Sequence, residues 1–188
     1  ITAINLFALN YLENIQGNSV GDLVLDNLPT FNLFWFRIFG TAVIAISAVL
    51  VAFFHPRYLP IGLKTVGLMY IIRPLFVILT HLKAYPEKIL IPADHPLFGK
   101  FIVYQGNDLF FSGHVALPFL MALLFWDKKS IRYCFLSFSI IAGLASLLAK
   151  THYSIDIFAA PFMAYAIFKI AEKFFREDLR YIKIKTKI

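Results

Sequence analysis

The chain has a single cysteine, Cys134, which excludes a disulfide framework and a cysteine-based zinc site. Charge is scarce as well. Asp, Glu, Lys and Arg make up only 15% of the 188 residues, against about a quarter in ordinary soluble domains. No repeat or low-complexity stretch occurs, and nothing reads as a separable soluble domain. The opening residues lack the basic region and small-residue cleavage site of a signal peptide.

Apolar residues, at 60% of the chain, take the place of charge, and 17% of residues are aromatic. They come in long blocks: Phe31 to Phe54 contains one charge, Arg37, near its start. Such blocks reach the roughly 20 residues that cross a bilayer core of about 30 Å. The sequence therefore predicts an all-α, polytopic six-helix transmembrane bundle. Its spans are expected at 1–13, 31–54, 59–82, 113–127, 131–150 and 154–175. One catalytic bundle would cover 1–175, followed by a basic tail at 176–188. The stretch Ile1 to Asn10 is apolar but too short to cross, and reads as the end of a truncated span. The fourth span is also short, with room to extend into Phe110-Phe111.

Charge placement predicts the topology. Arg57 and Lys64 follow span two; Lys128, Lys129 and Arg132 follow span four; Lys173, Arg176, Arg180, Lys183, Lys185 and Lys187 crowd the tail. The positive-inside rule assigns these three regions to the cytoplasm. The opposite side receives 14–30, with Asp22 and Asp26 and no Lys or Arg, and the long connection 83–111. A connection of that length in a compact protein is usually functional or disordered. The net charge of +7 comes largely from the tail, which suits contact with anionic headgroups. It carries no nucleic-acid recognition motif, so no nucleic-acid partner is expected.

Two histidines stand at helix starts on the same, non-cytoplasmic face. Ser112-Gly113-His114 opens span four and His152-Tyr153-Ser154-Ile155-Asp156 opens span six. Ionisable groups at such positions are functional candidates. His152 and Asp156 are four apart, one turn on a shared helical face. The carboxylate can hold a proton on one ring nitrogen and leave the other free to attack, and it stabilises the imidazolium that develops. The competing reading is a buried polar pair that ties helices together. Gly113 permits close approach of backbone to an anion, and a helix start offers free N–H groups. Ser112 can cap the helix and donate to phosphate, while His114 is placed to protonate a leaving oxygen.

Arg73, followed by Pro74, lies within span three, where an unpaired arginine costs several kcal/mol. Its planar fork suits a phosphoryl group, the alternative being a structural ion pair. Lys150 is a candidate second cation or a snorkelling interface residue. Two His and a carboxylate are a legitimate metal-ligand set, but the arginine and the Ser-Gly-His step suit an anion better. No metal and no cofactor is expected, and the two imidazoles are expected to face one anion pocket.

At these residues the chain resembles the sphingomyelin synthase family, a branch of the type 2 phosphatidic acid phosphatase superfamily. Gly21-Asp22-Leu23-Val24-Leu25-Asp26-Asn27-Leu28-Pro29 is similar to the family's acidic luminal motif, and Tyr70 to Thr80 to its arginine-bearing span. Asp108-Leu109-Phe110-Phe111-Ser112-Gly113-His114 matches Asp-x3-Ser-Gly-His, and His152 to Ile157 matches His-Tyr-Thr-Ile-Asp-Val with conservative changes. There are departures. Gly106-Asn107 stand where the family has Cys-Gly, and Val115 replaces the usual Thr. Val66 and Ser146 occupy positions at which the wider superfamily carries Lys and Arg, and fewer cations fit the synthase branch better than the phosphatase branch.

The resemblance implies a lipid phosphotransferase acting on the periplasmic or luminal face. His152, oriented by Asp156, would attack the phosphorus of a glycerophospholipid, and His114 would protonate the departing diacylglycerol. A phosphohistidine would then pass phosphocholine or phosphoethanolamine to ceramide or a similar lipid alcohol. Arg73, Ser112, Gly113 and Lys150 would hold the phosphate, with Asp108 and Tyr153 in support. The same residues serve a hydrolase in which water is the acceptor. A non-catalytic membrane scaffold is the remaining alternative.

Overall fold

The computed structural model describes residues 7–8, 11, 17–88 and 109–185, with side chains as far as residue 180. Every long element is helical: α1 Phe34–Phe54, α2 Leu59–Leu79, α3 Gly113–Leu124, α4 Lys129–Leu148, α5 Ser154–Phe174 and α6 Arg176–Lys185. Short 3-10 turns occupy Leu25–Asn27 and Pro56–Tyr58. Most of the expected first span, and most of the connection between α2 and α3, lie outside the described residues.

Four helices among the described residues are long and apolar enough to cross a membrane, at Phe34–Phe54, Pro56–Leu79, Lys129–Leu148 and Ser154–Phe174. The fourth expected span differs. At 12 residues α3 is about 18 Å long at 1.5 Å per residue, short of a bilayer core. It does not extend into Phe110-Phe111, because both residues take positive φ, 103° and 24°, which breaks the helical path. Pro74 does not end α2, which continues to Leu79.

α3 is short because it is the bundle's axis rather than a lipid-facing span. Val115, Ala116, Pro118, Leu120, Met121, Ala122 and Leu124 are all buried. α5 presents Ile157, Ala160, Ala164, Ile167 and Ala171 to the interior at a spacing of three or four. Its alanines let backbones approach closely, which drives helix association in lipid, where hydrophobic burial contributes little. Ser139 Oγ donates to the Val115 carbonyl at 2.9 Å, satisfying a hydroxyl that lipid would leave unpaired. α1, by contrast, lies at the periphery. Ile44 is its only buried residue, while Phe36, Phe39, Val49 and Phe53 are exposed as lipid-facing side chains are.

Alternation of the helices puts the starts of α1, α3 and α5 and the ends of α2 and α4 at one end of the bundle. The Phe31 amide donates to the Leu148 carbonyl there at 2.9 Å, fastening the lead-in of α1 to the end of α4. At the other end Lys64 Nζ meets Asp178 Oδ2 at 2.6 Å, joining α2 to α6.

Gly143 on α4 faces both site-bearing helices. A Cβ there would come within 3.2 Å of Ile157 Cγ2 and 3.6 Å of Val115 Cγ2, the residues that follow Asp156 and His114. Gly143→Leu is expected to destabilise the bundle by about 1–3 kcal/mol through overpacking, read as a lowered thermal midpoint in detergent.

Candidate active site

The step from Leu109 to Gly113 is unusual backbone held by specific bonds. Thr80 Oγ1 donates to the Leu109 carbonyl at 3.0 Å. Arg73 Nε donates to the Phe111 carbonyl at 3.1 Å, and its guanidinium carbon lies 5.9 Å from the Phe111 ring centre. The Ser112 amide donates to the Asp156 carbonyl at 3.0 Å. Positive φ at two bulky residues costs energy, and these bonds offset it while fixing the start of α3. A Cβ at Gly113 would lie 3.6 Å from Arg73 Nε, so the glycine backbone and the guanidinium face each other closely.

Across that contact is the first turn of α5. Asp156 is fully buried; its Oδ2 accepts the Tyr153 amide at 3.2 Å and lies 3.3 Å from His152 Nδ1. With the proton on Nδ1 that contact is a donation to the carboxylate, and Nε2 keeps its lone pair. Asp156 Oδ1 and Ser112 Oγ are both buried and have no hydrogen-bond partner among the described residues. Buried polar atoms left unpaired are rare and point to a functional demand.

A cavity of about 350 Å³ reaches this region, lined by Arg73, Gly113, His114, Tyr70, Pro118 and Thr41 among others. The structure thus brings His114, Gly113 and Arg73 to one space. His152 and Asp156 do not line it, being 6% and 0% exposed. The expected common pocket for both imidazoles is reached by His114 alone.

Lys150 is buried with φ 48°, and its Nζ is paired with Glu87 Oε2 at 2.5 Å. Thr30 Oγ1 donates to the same carboxylate oxygen at 2.7 Å. These bonds, the Lys150 one foremost, hold the Glu87 carboxyl below its usual pKa. A lysine engaged in this way fastens loops. Tyr153 does the same: its hydroxyl donates to the Lys83 carbonyl at 2.9 Å and accepts the Val20 amide at 3.2 Å. Asp108 lies outside the described residues.

Sequence reading missed the role of Asp22, counted only as charge and as part of an acidic motif. Its Oδ2 accepts the Ser154 amide at 2.7 Å, so it caps α5 from 132 residues away. Its Oδ1 accepts the Val24 and Leu25 amides at 2.9 and 3.1 Å. Burial alone would raise its pKa, but the amide donors outweigh it and hold the carboxyl below the ordinary 3.8. Asp26 next to it accepts the Tyr85 hydroxyl at 2.6 Å, a bond that pushes the phenol up to about 12. The belt 17–30 therefore encloses the start of α5. Only the acidic motif itself signalled it.

Asp22→Ala is expected to cost about 1–2 kcal/mol, as loss of a good helix cap does, and Asp22→Asn less, since an acceptor remains. A depressed folded pKa contributes stability that is complete above the unfolded value and lost as pH falls through the folded one. The difference between wild type and Asp22→Ala should therefore persist at neutral pH and shrink below 3.8. Thermal unfolding across pH 2–6 would measure it.

Residues 105–173 match the family model described as PAP2 superfamily C-terminal. The matched stretch, a little over a third of the chain, contains both Ser112-Gly113-His114 and His152 to Asp156. No curated protein and no solved structure matches the chain. Proteins of the PAP2 superfamily are generally phosphatases, acting on membrane lipids. The match is a likeness to the PAP2 superfamily in the segment that carries both motifs, and with four helices long and apolar enough to span a bilayer it supports an integral membrane protein.

Proposed function

We propose that the protein is a metal-independent lipid phosphotransferase. It moves a phospholipid headgroup phosphate, phosphocholine or phosphoethanolamine, to a lipid alcohol such as ceramide through a phosphohistidine. The observation that carries this reading is the buried His152–Asp156 pair, joined by the Ser112–Asp156 backbone bond to the Ser-Gly-His turn beside Arg73.

In this scheme His152 Nε2 attacks phosphorus while Asp156 retains the Nδ1 proton and offsets the growing positive charge on the ring. The bond from phosphorus to the diacylglycerol oxygen breaks, and His114 gives that oxygen a proton. Neutral His114 then takes the proton of the acceptor hydroxyl as its oxygen attacks phosphorus, the P–N bond breaks, and both imidazoles return to their starting states. Arg73 and the amides at the start of α3 hold the phosphoryl oxygens. The low exposure of His152 means that phosphorus reaches Nε2 through a local opening of the surrounding loops. In this reading the site end faces the periplasmic or luminal side and α6 the cytoplasm, the orientation that the positive-inside rule favours.

A second reading keeps the same residues and makes water the acceptor, giving a lipid phosphatase or phospholipase C-like hydrolase. The phosphatase character of the matched superfamily favours it. The two differ in acceptor access and water exclusion. Supplied with labelled phospholipid, a transferase forms a new phospholipid only when ceramide is added. A hydrolase releases phosphocholine, phosphoethanolamine or inorganic phosphate without it.

His152→Ala is expected to abolish turnover and any acid-labile phosphorus–nitrogen adduct. Asp156→Asn should lower kcat by about 10²–10⁴-fold, through loss of the oriented tautomer. Unchanged activity in His152→Ala would overturn both readings, and a wild type with neither turnover nor adduct would leave a non-catalytic scaffold.

A further inference from the structure

α1 separates two cavities, and His114 borders both, as do Thr41 and Ile44. The first carries Arg73. The second, about 280 Å³, lies between α1 and α4 and carries a different cation, Arg37. The remaining lining is mainly apolar, with Phe36, Phe39, Val43 and Ile141 in the walls and the buried Ser146 beside them. Phe36, Phe39 and Ile141 are 52%, 63% and 47% exposed, so this space opens where acyl chains run.

Arg37 stands one turn into α1, roughly 5 Å along the helix from its start. Its Nε is buried and finds no hydrogen-bond acceptor among the described residues, nor does the guanidinium form an ion pair there. An arginine at that depth is costly unless a negative group meets it, and its donor fork matches phosphate oxygens. Charge complementarity and an apolar, bilayer-facing wall together define a phospholipid: a phosphate on Arg37 and a chain between α1 and α4.

We propose that this cavity is a second phospholipid-binding site, with Arg37 as its phosphate anchor. Its use in catalysis rests on the function proposed above. Donor and product of headgroup transfer each carry a phosphodiester, while the two alcohols carry none. The Arg37 cavity, beside His114 but without His152 in its lining, gives a phospholipid that enters or leaves the reaction a holding place apart from the reacting phosphorus. The binding itself does not depend on turnover, so it is tested in a protein that cannot react.

Delipidated His152→Ala protein in detergent, titrated with phosphatidylcholine and observed intact by native mass spectrometry, should bind two lipids tightly. Adding Arg37→Met should remove one of them, with affinity at that site falling about tenfold or more, and Arg37→Lys should restore part of it. Gly40→Leu is the second variant. Gly40 lines the cavity and has open space where a Cβ would sit, so leucine blocks the site without a backbone clash, in a residue type that helices favour. It too should leave one lipid bound. Unchanged two-lipid occupancy in Arg37→Met and Gly40→Leu would overturn the proposal, as would diacylglycerol binding as tightly as phosphatidylcholine. A missing phosphohistidine in wild type would count against the catalytic reading and leave this result standing.

Discussion

The first turn of α5 is the constraint on which the rest of the site depends. Asp156 alone meets three neighbours there: its carboxylate takes the Tyr153 amide and faces His152, and its carbonyl takes the Ser112 amide. Helix starts leave amides without intrahelical partners, and those groups must be satisfied by something outside the helix. Here they are satisfied by acids that belong to the site or to the belt around it. Asp22 supplies the remaining cap from the other end of the chain, at Ser154. The geometry of the histidine is therefore inseparable from the capping of its helix.

What was legible in the sequence follows from the range of each interaction. The His152–Asp156 pair was readable because a spacing of four fixes a shared helical face whatever surrounds it. The Ser112-Gly113-His114 start was readable because small and polar residues directly precede an apolar run. Arg73 was readable because a charge inside an apolar block demands a partner. Asp22 and Lys150 were not, since their partners Ser154 and Glu87 lie 132 and 63 residues away and no periodicity connects them. Arg37 was visible only as an interruption. Which cavity it enters depends on the packing of α1 against α4.

The length of α3 shows what hydropathy leaves open. Its residues are as apolar as those of a span, but they are apolar because they pack against α4 and α5 on nearly all sides. An apolar run of that length is as consistent with a core helix as with a crossing one. The positive φ values at Phe110 and Phe111 settle its upstream limit, and no alternation or propensity pattern in two phenylalanines announces such a conformation. It is held by tertiary bonds: along that path the Phe111 carbonyl meets Arg73 and the Ser112 amide meets the Asp156 carbonyl.

The peripheral seating of α1 has a consequence of its own. A segment with Ile44 as its sole interior residue has few side chains to lock its position against its neighbours. That segment is also the partition wall beside His114. A shift of α1 against its neighbours thereby changes the width of both chambers at once, on either side of the same imidazole.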